Sequence, residues 1–269
     1  MSTEFPLDPR DFSAYYRFAP TALAIRECAR LRAVRQLQLP EPILDVGCGD
    51  GIFARLAYPQ RQIWGIDINP TEVARAQSTD TYRTLVCGNI CDVDLPKAFF
   101  GSAIANCSLE HVADLNAALR NIRRAVRPNA PVALIVPAHN WTTHLATAEL
   151  LCMAGLSSAA AAYGEFFDRI FSHVHLYDEE GWRQRLELAG FEASRVLPII
   201  DRQTSWAFDL MLGPSALGFL IKKITGRWVV SPPFRRVTEP ISRALVNTIG
   251  SLAPGGAGPG EYLVVGIAK

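Results

Sequence analysis

Short apolar runs alternate with amphipathic stretches through the middle of the chain. The amphipathic stretches carry apolar residues three and four positions apart, the spacing of one face of a helix, as in residues 70–77 and 113–126. Strands that alternate with helices predict a parallel sheet covered on both faces. A further helix and strand are predicted over 178–200, and a last buried strand over 261–269. The apolar runs that predict the first five strands are 42–46, 62–67, 83–87, 102–107 and 130–137.

Three segments fall outside this alternation. Residues 1–40 begin without a regular pattern and become helical after Pro20. Residues 138–177 and 201–260 each follow a predicted strand and are far longer than the ~2–6 residues that such connections usually need. Because ligands bind at the carboxyl edge of open α/β sheets, we expect both insertions to form walls or a lid of a substrate site.

The composition is that of a folded protein, and it narrows the functional classes. Of the 269 residues, 49% are hydrophobic and 20% are charged, and the net charge of +1 gives no basic footprint for nucleic acid. No stretch of ~20 apolar residues predicts a membrane span, and the acidic N-terminus does not resemble a signal peptide. The six cysteines form no CxxC pair, which favours reduced, mostly buried thiols and a cytoplasmic location.

The strongest local signal is a glycine-rich loop between a predicted strand and a predicted helix. Gly47, Gly49 and Gly51 permit a tight turn and the close approach of a ligand, although a tight turn without a ligand is the alternative. The next predicted strand ends at Asp67, where a carboxylate can accept hydrogen bonds from ribose hydroxyls or serve as a plain turn residue. Ile52 stands where a dinucleotide-binding G-x-G-x-x-G loop has its third glycine. The loop therefore favours a nucleoside ligand without a pyrophosphate.

The segment I-L-D-V-G-C-G-D-G, residues 43–51, resembles the first motif of class I S-adenosylmethionine-dependent methyltransferases. Further similarity to that family extends, in order and with the right spacing, over about residues 40–137, the 181–200 unit and the terminal strand. The resemblance implies a Rossmann-like α/β fold with a seven-stranded, mostly parallel sheet, an antiparallel last strand and helices on both faces. The two insertions then form a mainly helical cap.

The implied organisation is a single methyltransferase domain over residues 1–269, opened by the helical segment 1–40. Residues 41–137 form its cofactor-binding core, and residues 178–200 and 261–269 complete the sheet. Residues 138–177 and 201–260 are the substrate-side insertions of this domain.

The same resemblance assigns roles in binding S-adenosylmethionine. Asp67 matches the acid that binds the ribose hydroxyls, and Ile68 matches the apolar residue that packs on adenine. Asp45 matches the acid near the ammonium group of the ligand, the alternative being that it caps the following turn. Asn89 stands where many family members have Asp. The implied cofactor-binding residues are Asp45, Gly47, Cys48, Gly49, Gly51, Asp67, Ile68, Asn89, Ile90, Asn106 and Cys107.

All five histidines lie between residues 111 and 175, on the predicted substrate side. A base is needed only when the acceptor loses a proton on attack, and Glu110 and His111 are the candidate catalytic residues. The alternative is that both simply open the following helix, where an acid suits the positive end of the dipole. His173 and His175 share a strand face without a third ligand at a fixed spacing, so we expect no metal site.

The second insertion combines apolar and basic character. Residues 210–224 are apolar at helical steps, and Trp228 follows. Such a segment is typical of one that lies on an anionic membrane surface; the alternative, compatible with it, is a lid helix packed over the active site. Residues 206–236 have a local net charge of +4, because they contain five bases and one acid, Asp209. The bases are Lys222, Lys223, Arg227, Arg235 and Arg236.

We therefore predict an S-adenosylmethionine-dependent methyltransferase that transfers a methyl group by in-line displacement to a small or lipid-like acceptor. Two alternatives are a nicotinamide-dependent oxidoreductase and a protein that binds the cofactor or a partner without turnover. Methylation of nucleic acid is disfavoured, because Asn106-Cys107-Ser108 lacks the N-P-P-[YF] segment of base-amino methyltransferases.

Overall fold

The computed structural model describes residues 7–225, 228–254 and 259–269. The strands in these ranges are β1 (Ile43–Val46), β2 (Ile63–Asp67), β3 (Thr84–Cys87), β4 (Ser102–Asn106), β5 (Pro131–Pro137), β6 (Phe191–Pro198) and β7 (Glu261–Ala268). The α-helices are α1 (Pro9–Tyr16), α2 (Thr21–Val34), α3 (Ile52–Ala57), α4 (Pro70–Gln77), α5 (Leu115–Ala125), α6 (Ala146–Met153), α7 (Ser157–Phe171), α8 (Glu179–Leu188), α9 (Arg202–Leu210), α10 (Leu212–Thr225) and α11 (Pro232–Leu252).

The chain divides into two compact units. The sheet unit comprises Ala33–His139, Ser172–Pro198 and Glu261–Lys269. The helical unit comprises the described residues of Met1–Arg32, Asn140–Phe171 and Ile199–Gly260. Residues 172–177, which the sequence analysis included in the first insertion, thus belong to the sheet unit.

The sheet unit is built on one seven-stranded sheet in the order β3-β2-β1-β4-β5-β7-β6. The pairs from β3 to β5 are parallel, whereas β7 runs antiparallel to both β5 and β6. The central strands β1 and β5 are almost wholly buried, as expected for short apolar runs covered on both faces. The predicted fold class is confirmed.

The helix α5 shows how local sequence sets an element of this unit. Its buried residues recur at steps of three and four, and its basic residues occupy the other side. The Asp114 carboxylate accepts a hydrogen bond from the Ala117 N–H at 2.9 Å, which caps the first turn. The buried face consists of Leu115, Ala118, Leu119, Ile122 and Ala125.

The N-terminal helical segment contains α1 as well as α2. Asp8 caps α1 by accepting hydrogen bonds from two N–H groups, and Pro9 suits the first turn.

The expectation that the cysteines are mostly buried was wrong. All six lie within the described residues and are free, but only Cys28 and Cys48 are buried. No helix of the described chain is both long and apolar enough to cross a membrane.

The helical unit is held together by buried polar contacts as well as by apolar packing. The carboxylate of Asp209 is buried and accepts hydrogen bonds from the Tyr163 hydroxyl and from the Thr147 N–H. The Arg26 guanidinium lies 4.4 Å from the centroid of the Phe208 ring. These contacts join α2, α6, α7 and α9, because each partner lies on a different helix.

We expect Asp209→Ala to lower the free energy of unfolding by about 2 kcal/mol or more, because two donors lose their acceptor and each costs ~1–3 kcal/mol when left buried. Urea unfolding followed by circular dichroism measures the change. Asp209→Asn keeps one acceptor oxygen and should lose less, and Glu165→Ala, at an exposed position of α7, should change little. Equal stability of the Asp209→Ala variant and the parent chain would contradict this account.

Candidate functional site

The loop between β1 and α3 carries three glycines in the left-handed region. Gly47, Gly49 and Gly51 have φ angles of +73°, +54° and +78°, which side chains rarely adopt. A Cβ on Gly47 would lie 2.2 Å from the Ser108 Cβ, so a glycine is needed there for the loop to approach the segment after β4. The Ser108 hydroxyl in turn donates to the Val46 carbonyl at 2.6 Å, which joins the ends of β1 and β4.

Asp67 ties the end of β2 to this loop. Its carboxylate accepts a hydrogen bond from the Gly49 N–H at 2.9 Å and another from the Asn69 N–H at 2.8 Å. The side chain therefore has a turn role, which was the alternative raised by the sequence. A carboxylate has about four lone-pair sites, so two of them are left for donors of a ligand.

A cavity of about 450 Å³ lies at the carboxyl edge of the sheet unit. Its walls come from the ends of β1, β2 and β4 and from the loop after β3. Ile68 is 68% exposed and lines this cavity beside the Asp67 carboxylate. Of the predicted site residues, those that line the cavity are Gly47, Asp67, Ile68, Asn89, Ile90, Cys107 and His111.

The other predicted residues lie behind or beside these walls and are not among its lining residues. Gly49 and Gly51 shape the loop, and Cys48 is buried in it. Asn106 is the last residue of β4, and the next residue, Cys107, has a φ of +48°, a strained conformation for a residue other than glycine. Such strain occurs at functional sites more often than elsewhere.

Asp45 is buried in β1 and does not cap the following turn. The Tyr82 hydroxyl donates to its carboxylate at 2.7 Å. Burial raises the pKa of Asp45 to about 7; the hydrogen bond from Tyr82 lowers it in part, and the nearby charge of Asp67 raises it further. Close to neutrality, Asp45 is therefore divided between its neutral and its ionised form.

Tyr82 is a residue of this site that sequence reasoning missed. Its ring lies between two glycines, since a Cβ on Gly65 would be 2.8 Å from the ring and a Cβ on Gly51 would be 2.9 Å from it. Tyr82 lies just before β3, outside the segments that carry the family resemblance, and its signal in the chain is the pair of glycines that leaves room for a large side chain. One sequence does not say which aromatic residue fills that room.

Glu110 and His111 form a short 3-10 turn, Leu109–His111, directly after β4. They do not open the following helix, because α5 begins four residues later at Leu115 with its own cap. The Glu110 side chain is 1% exposed and that of His111 is 41% exposed. The His111 Nε2 lies 3.7 Å from the Glu110 Oε1, and its Nδ1 lies 3.1 Å from the Ser172 carbonyl oxygen.

The segment 172–177 packs on this 3-10 turn. The Val174 and His175 N–H groups donate to the Glu110 carbonyl oxygen at 2.9 and 3.1 Å. The His173 ring lies beside that of His111, with 5.6 Å between ring centroids. His175 points elsewhere, because its Nε2 lies 2.8 Å from the Val112 carbonyl oxygen. His173 therefore lies beside His111, whereas His175 does not share that place.

Comparison with known proteins decides the family. Residues 15–196 match the model of a family described as a methyltransferase domain. The chain belongs to this family. The methyltransferase family predicted from the sequence is thereby confirmed.

Individual relatives of this methyltransferase domain agree with that assignment. An uncharacterised methyltransferase of Mycobacterium tuberculosis is 32% identical over 96 residues, which cover 35% of this chain and 49% of that protein. A ubiquinone/menaquinone biosynthesis C-methyltransferase of Ralstonia nicotianae is 26% identical over 165 residues, covering 56% of this chain and 67% of that protein. The chain thus spans about half the length of the mycobacterial relative.

A solved structure supports the fold alone. The S-adenosylmethionine-dependent methyltransferase of Thermotoga maritima, described as a possible histamine N-methyltransferase, superimposes with a TM-score of 0.58 at 14% sequence identity. The match covers 92% of this chain and 91% of that chain.

The buried carboxyl group of Asp45 should make the folding stability of the chain depend on pH. A carboxyl group with a raised pKa binds its proton more tightly in the folded state, so stability is highest at low pH and is lost as the pH rises from about 4 to about 7. Asp45→Asn keeps an acceptor for Tyr82 and never ionises. We therefore compare the free energy of unfolding of the variant with that of the parent. The difference, variant minus parent, should increase by about 1–3 kcal/mol from pH 5 to pH 7.5, because one pKa unit corresponds to ~1.4 kcal/mol.

Chemical denaturation of both proteins at several pH values measures this difference. The informative quantity is the change with pH of the gap between the two proteins, since other groups titrate in both. A gap that stays constant from pH 5 to pH 7.5 would show that Asp45 does not titrate in this range.

Proposed function

We propose that this chain binds S-adenosylmethionine and transfers its methyl group to a small or lipid-like acceptor. The observation that carries the proposal is the cavity at the carboxyl edge of the sheet, where the Asp67 carboxylate and the exposed Ile68 lie side by side under a glycine loop. A carboxylate suits the two hydroxyls of a ribose, and an exposed apolar side chain beside it suits the face of a base.

The residues present fit the cofactor, part by part. Asp67 has acceptor capacity for the ribose hydroxyls, and Ile68 and Ile90 line the same cavity, where we place the adenine. The backbone of the loop from Gly47 to Gly51 permits the close approach of the remaining part of the cofactor. We propose that the ionised Asp45 carboxylate offsets the positive charge of the ammonium group of the cofactor, because a nearby cation favours the ionised form of a buried carboxyl group. The family resemblance adds Cys48, Asn89, Asn106 and Cys107 to this set.

When bound, S-adenosylmethionine supplies a methyl group on a sulfonium, which is open to in-line displacement. The contribution of the chain is mainly to position the two reactants, an effect worth ~7–11 kcal/mol in favourable cases. His111 lines the cavity with an exposed ring, and we assign it, with Glu110 beside it, to the proton of a hydroxyl acceptor. An acceptor that loses no proton needs neither residue.

Asp67→Ala tests the cofactor assignment. We expect the affinity for S-adenosylmethionine, measured by isothermal titration calorimetry, to fall at least tenfold, because charge-assisted hydrogen bonds are worth ~1.5–3 kcal/mol each. Asp94→Ala, a change at an exposed carboxylate, should bind as the parent does. Unchanged affinity of the Asp67 variant would remove this residue from the site.

Two further measurements separate the alternatives. Titration with NAD should give no binding; binding of NAD without S-adenosylmethionine would favour the oxidoreductase. Transfer of a radiolabelled methyl group to a lipid or small-molecule extract should be detected with the parent chain. Binding of the cofactor without transfer to any extract would favour a protein that binds without turnover.

A second proposal concerns an exposed stripe on α11. Its apolar members recur at steps of three and four, so they share one helix face that is not covered within the helical unit. The helix carries three arginines and one glutamate. We infer that this face lies on an anionic membrane surface. The stripe consists of Phe234, Val237, Ile241 and Leu245.

This stripe differs from the surface expected from the sequence, which was the segment 210–224 with its lysines. Of that segment, Met211 is buried, and the Lys222 ammonium lies 4.2 Å from the centroid of the Trp228 ring. Arg227 and the side chain of Lys223 lie outside the described residues.

We expect Val237→Gln with Ile241→Gln to weaken binding to phosphatidylglycerol vesicles at least tenfold, because these side chains are 72% and 74% exposed and would otherwise enter the lipid interface. Vesicle co-sedimentation at low salt measures the affinity. Leu188→Gln, at an equally exposed position of the sheet unit, should bind as the parent does. If the parent chain ignores these vesicles, or the double variant binds equally well, the stripe is not a membrane surface.

A further inference from the structure

We propose that Glu110, His111 and His173 form a binding site for one divalent transition-metal ion of the zinc class. Each residue offers one ligand atom, and these three atoms all lie within 4.8 Å of one another. The use of the ion in catalysis rests on the proposed function, whereas the binding of the ion does not. The sequence predicted no metal site, because it offered only His173 and His175 on one strand.

The donor set is chemically suited to such an ion. One carboxylate and two imidazoles are ligands that zinc takes in catalytic sites and iron(II) takes in open sites. Three protein ligands leave at least one coordination position for an exogenous oxygen. A hard cation such as magnesium prefers oxygen ligands only, so the two imidazoles favour a transition metal.

The orientation of His111 supports this assignment. A carbonyl oxygen can only accept a hydrogen bond, so the contact between the His111 Nδ1 and the Ser172 oxygen at 3.1 Å places the ring hydrogen on Nδ1. In the neutral ring the lone pair is then on Nε2, the atom that lies 3.7 Å from the Glu110 carboxylate. A ligand histidine whose other nitrogen donates to a backbone carbonyl is the usual arrangement around metal ions.

The position of His173 agrees with a shared ion. Two imidazole rings bound to one zinc at ~2.0–2.1 Å from each nitrogen have their centroids about 5 Å apart. The His111 and His173 rings are separated by 5.6 Å. Their backbone is fixed as well, since the Val174 and His175 N–H groups hold the segment on the Glu110 carbonyl oxygen. The three ligands thus come from two segments that are hydrogen-bonded to each other.

The place of the ion suggests the acceptor. His111 is both a member of this trio and a wall of the cavity, so a ligand oxygen on the ion would lie at the cavity rim. A bound cation lowers the pKa of a hydroxyl that coordinates it, and the proton leaves to solvent. The acceptor class is then one with a hydroxyl or enol oxygen. With the ion bound, the Nε2 lone pair of His111 would coordinate it and could not accept a proton. The ion would then replace the imidazole in promoting loss of the hydroxyl proton of the acceptor.

The test is titration of the metal-free full chain with Co²⁺, followed by its visible absorption, and with Zn²⁺ by calorimetry. We expect one equivalent to bind, with d–d bands that report nitrogen and oxygen ligands. Glu110→Gln and His173→Gln should each weaken binding at least tenfold. His139→Gln, which changes an exposed histidine outside the trio, is the matched control and should bind as the parent does.

Absence of stoichiometric Co²⁺ binding in the parent chain, or equal affinity of the two ligand variants, would overturn the proposal. Because Glu110 is buried, thermal unfolding checks that its variant folds, and the partly exposed His173 provides an independent variant. S-adenosylhomocysteine binding is measured on the same samples. A chain that binds S-adenosylhomocysteine but no metal refutes this site alone, and a chain that binds metal but no S-adenosylhomocysteine refutes the proposed function alone.

Discussion

The close approach of the loop after β1 to the segment after β4 is the constraint on which the site depends. A side chain at position 47 would overlap Ser108. The Ser108 hydroxyl also donates a hydrogen bond to the Val46 carbonyl oxygen, which keeps the two segments together. Asp67 fixes the loop from β2 through the Gly49 N–H. Three strand ends are thereby held at one edge, and the cavity is the space that they leave between them.

The two acids Asp45 and Asp67 give this edge of the sheet its electrostatic character. Asp45 is buried where water cannot stabilise its charge, and Asp67 stands close enough to raise its pKa further. Burying a carboxyl group in this way opposes folding once the group ionises, and such groups are concentrated at binding and catalytic sites. A cation beside this pair of acids would remove part of the unfavourable energy. The proposed cofactor, a cationic nucleoside, would supply such a charge, whereas a diphosphate would not.

Much of the sheet unit could be predicted from the sequence, because its signals are local. The apolar runs, the glycine loop and the acid at the end of β2 each depend on neighbouring residues, and each was placed within one or two positions. Tyr82 and His173 could not be found in this way. Their partners, Asp45 and His111, are 37 and 62 residues away in the chain. The parallel crossovers of the sheet bring Tyr82 to Asp45, and backbone hydrogen bonds to the Glu110 carbonyl oxygen bring the segment of His173 to His111. The exposed face of α11 was missed for another reason: apolar residues at helical spacing predict a buried face as readily as an exposed one.

The packing of the Tyr82 ring between two glycines also bears on how this family can change. Positions 51, 65 and 82 form one steric unit, since a methyl group on either glycine would overlap the ring. A relative with alanine at position 65 needs a smaller residue than tyrosine at position 82. That relative would also lack the hydroxyl that donates to the acid of β1, so a change on β2 would alter the charge state of a carboxyl group on the neighbouring strand. These positions should therefore covary among homologues, and the acid at 45 should be replaced where the tyrosine is lost.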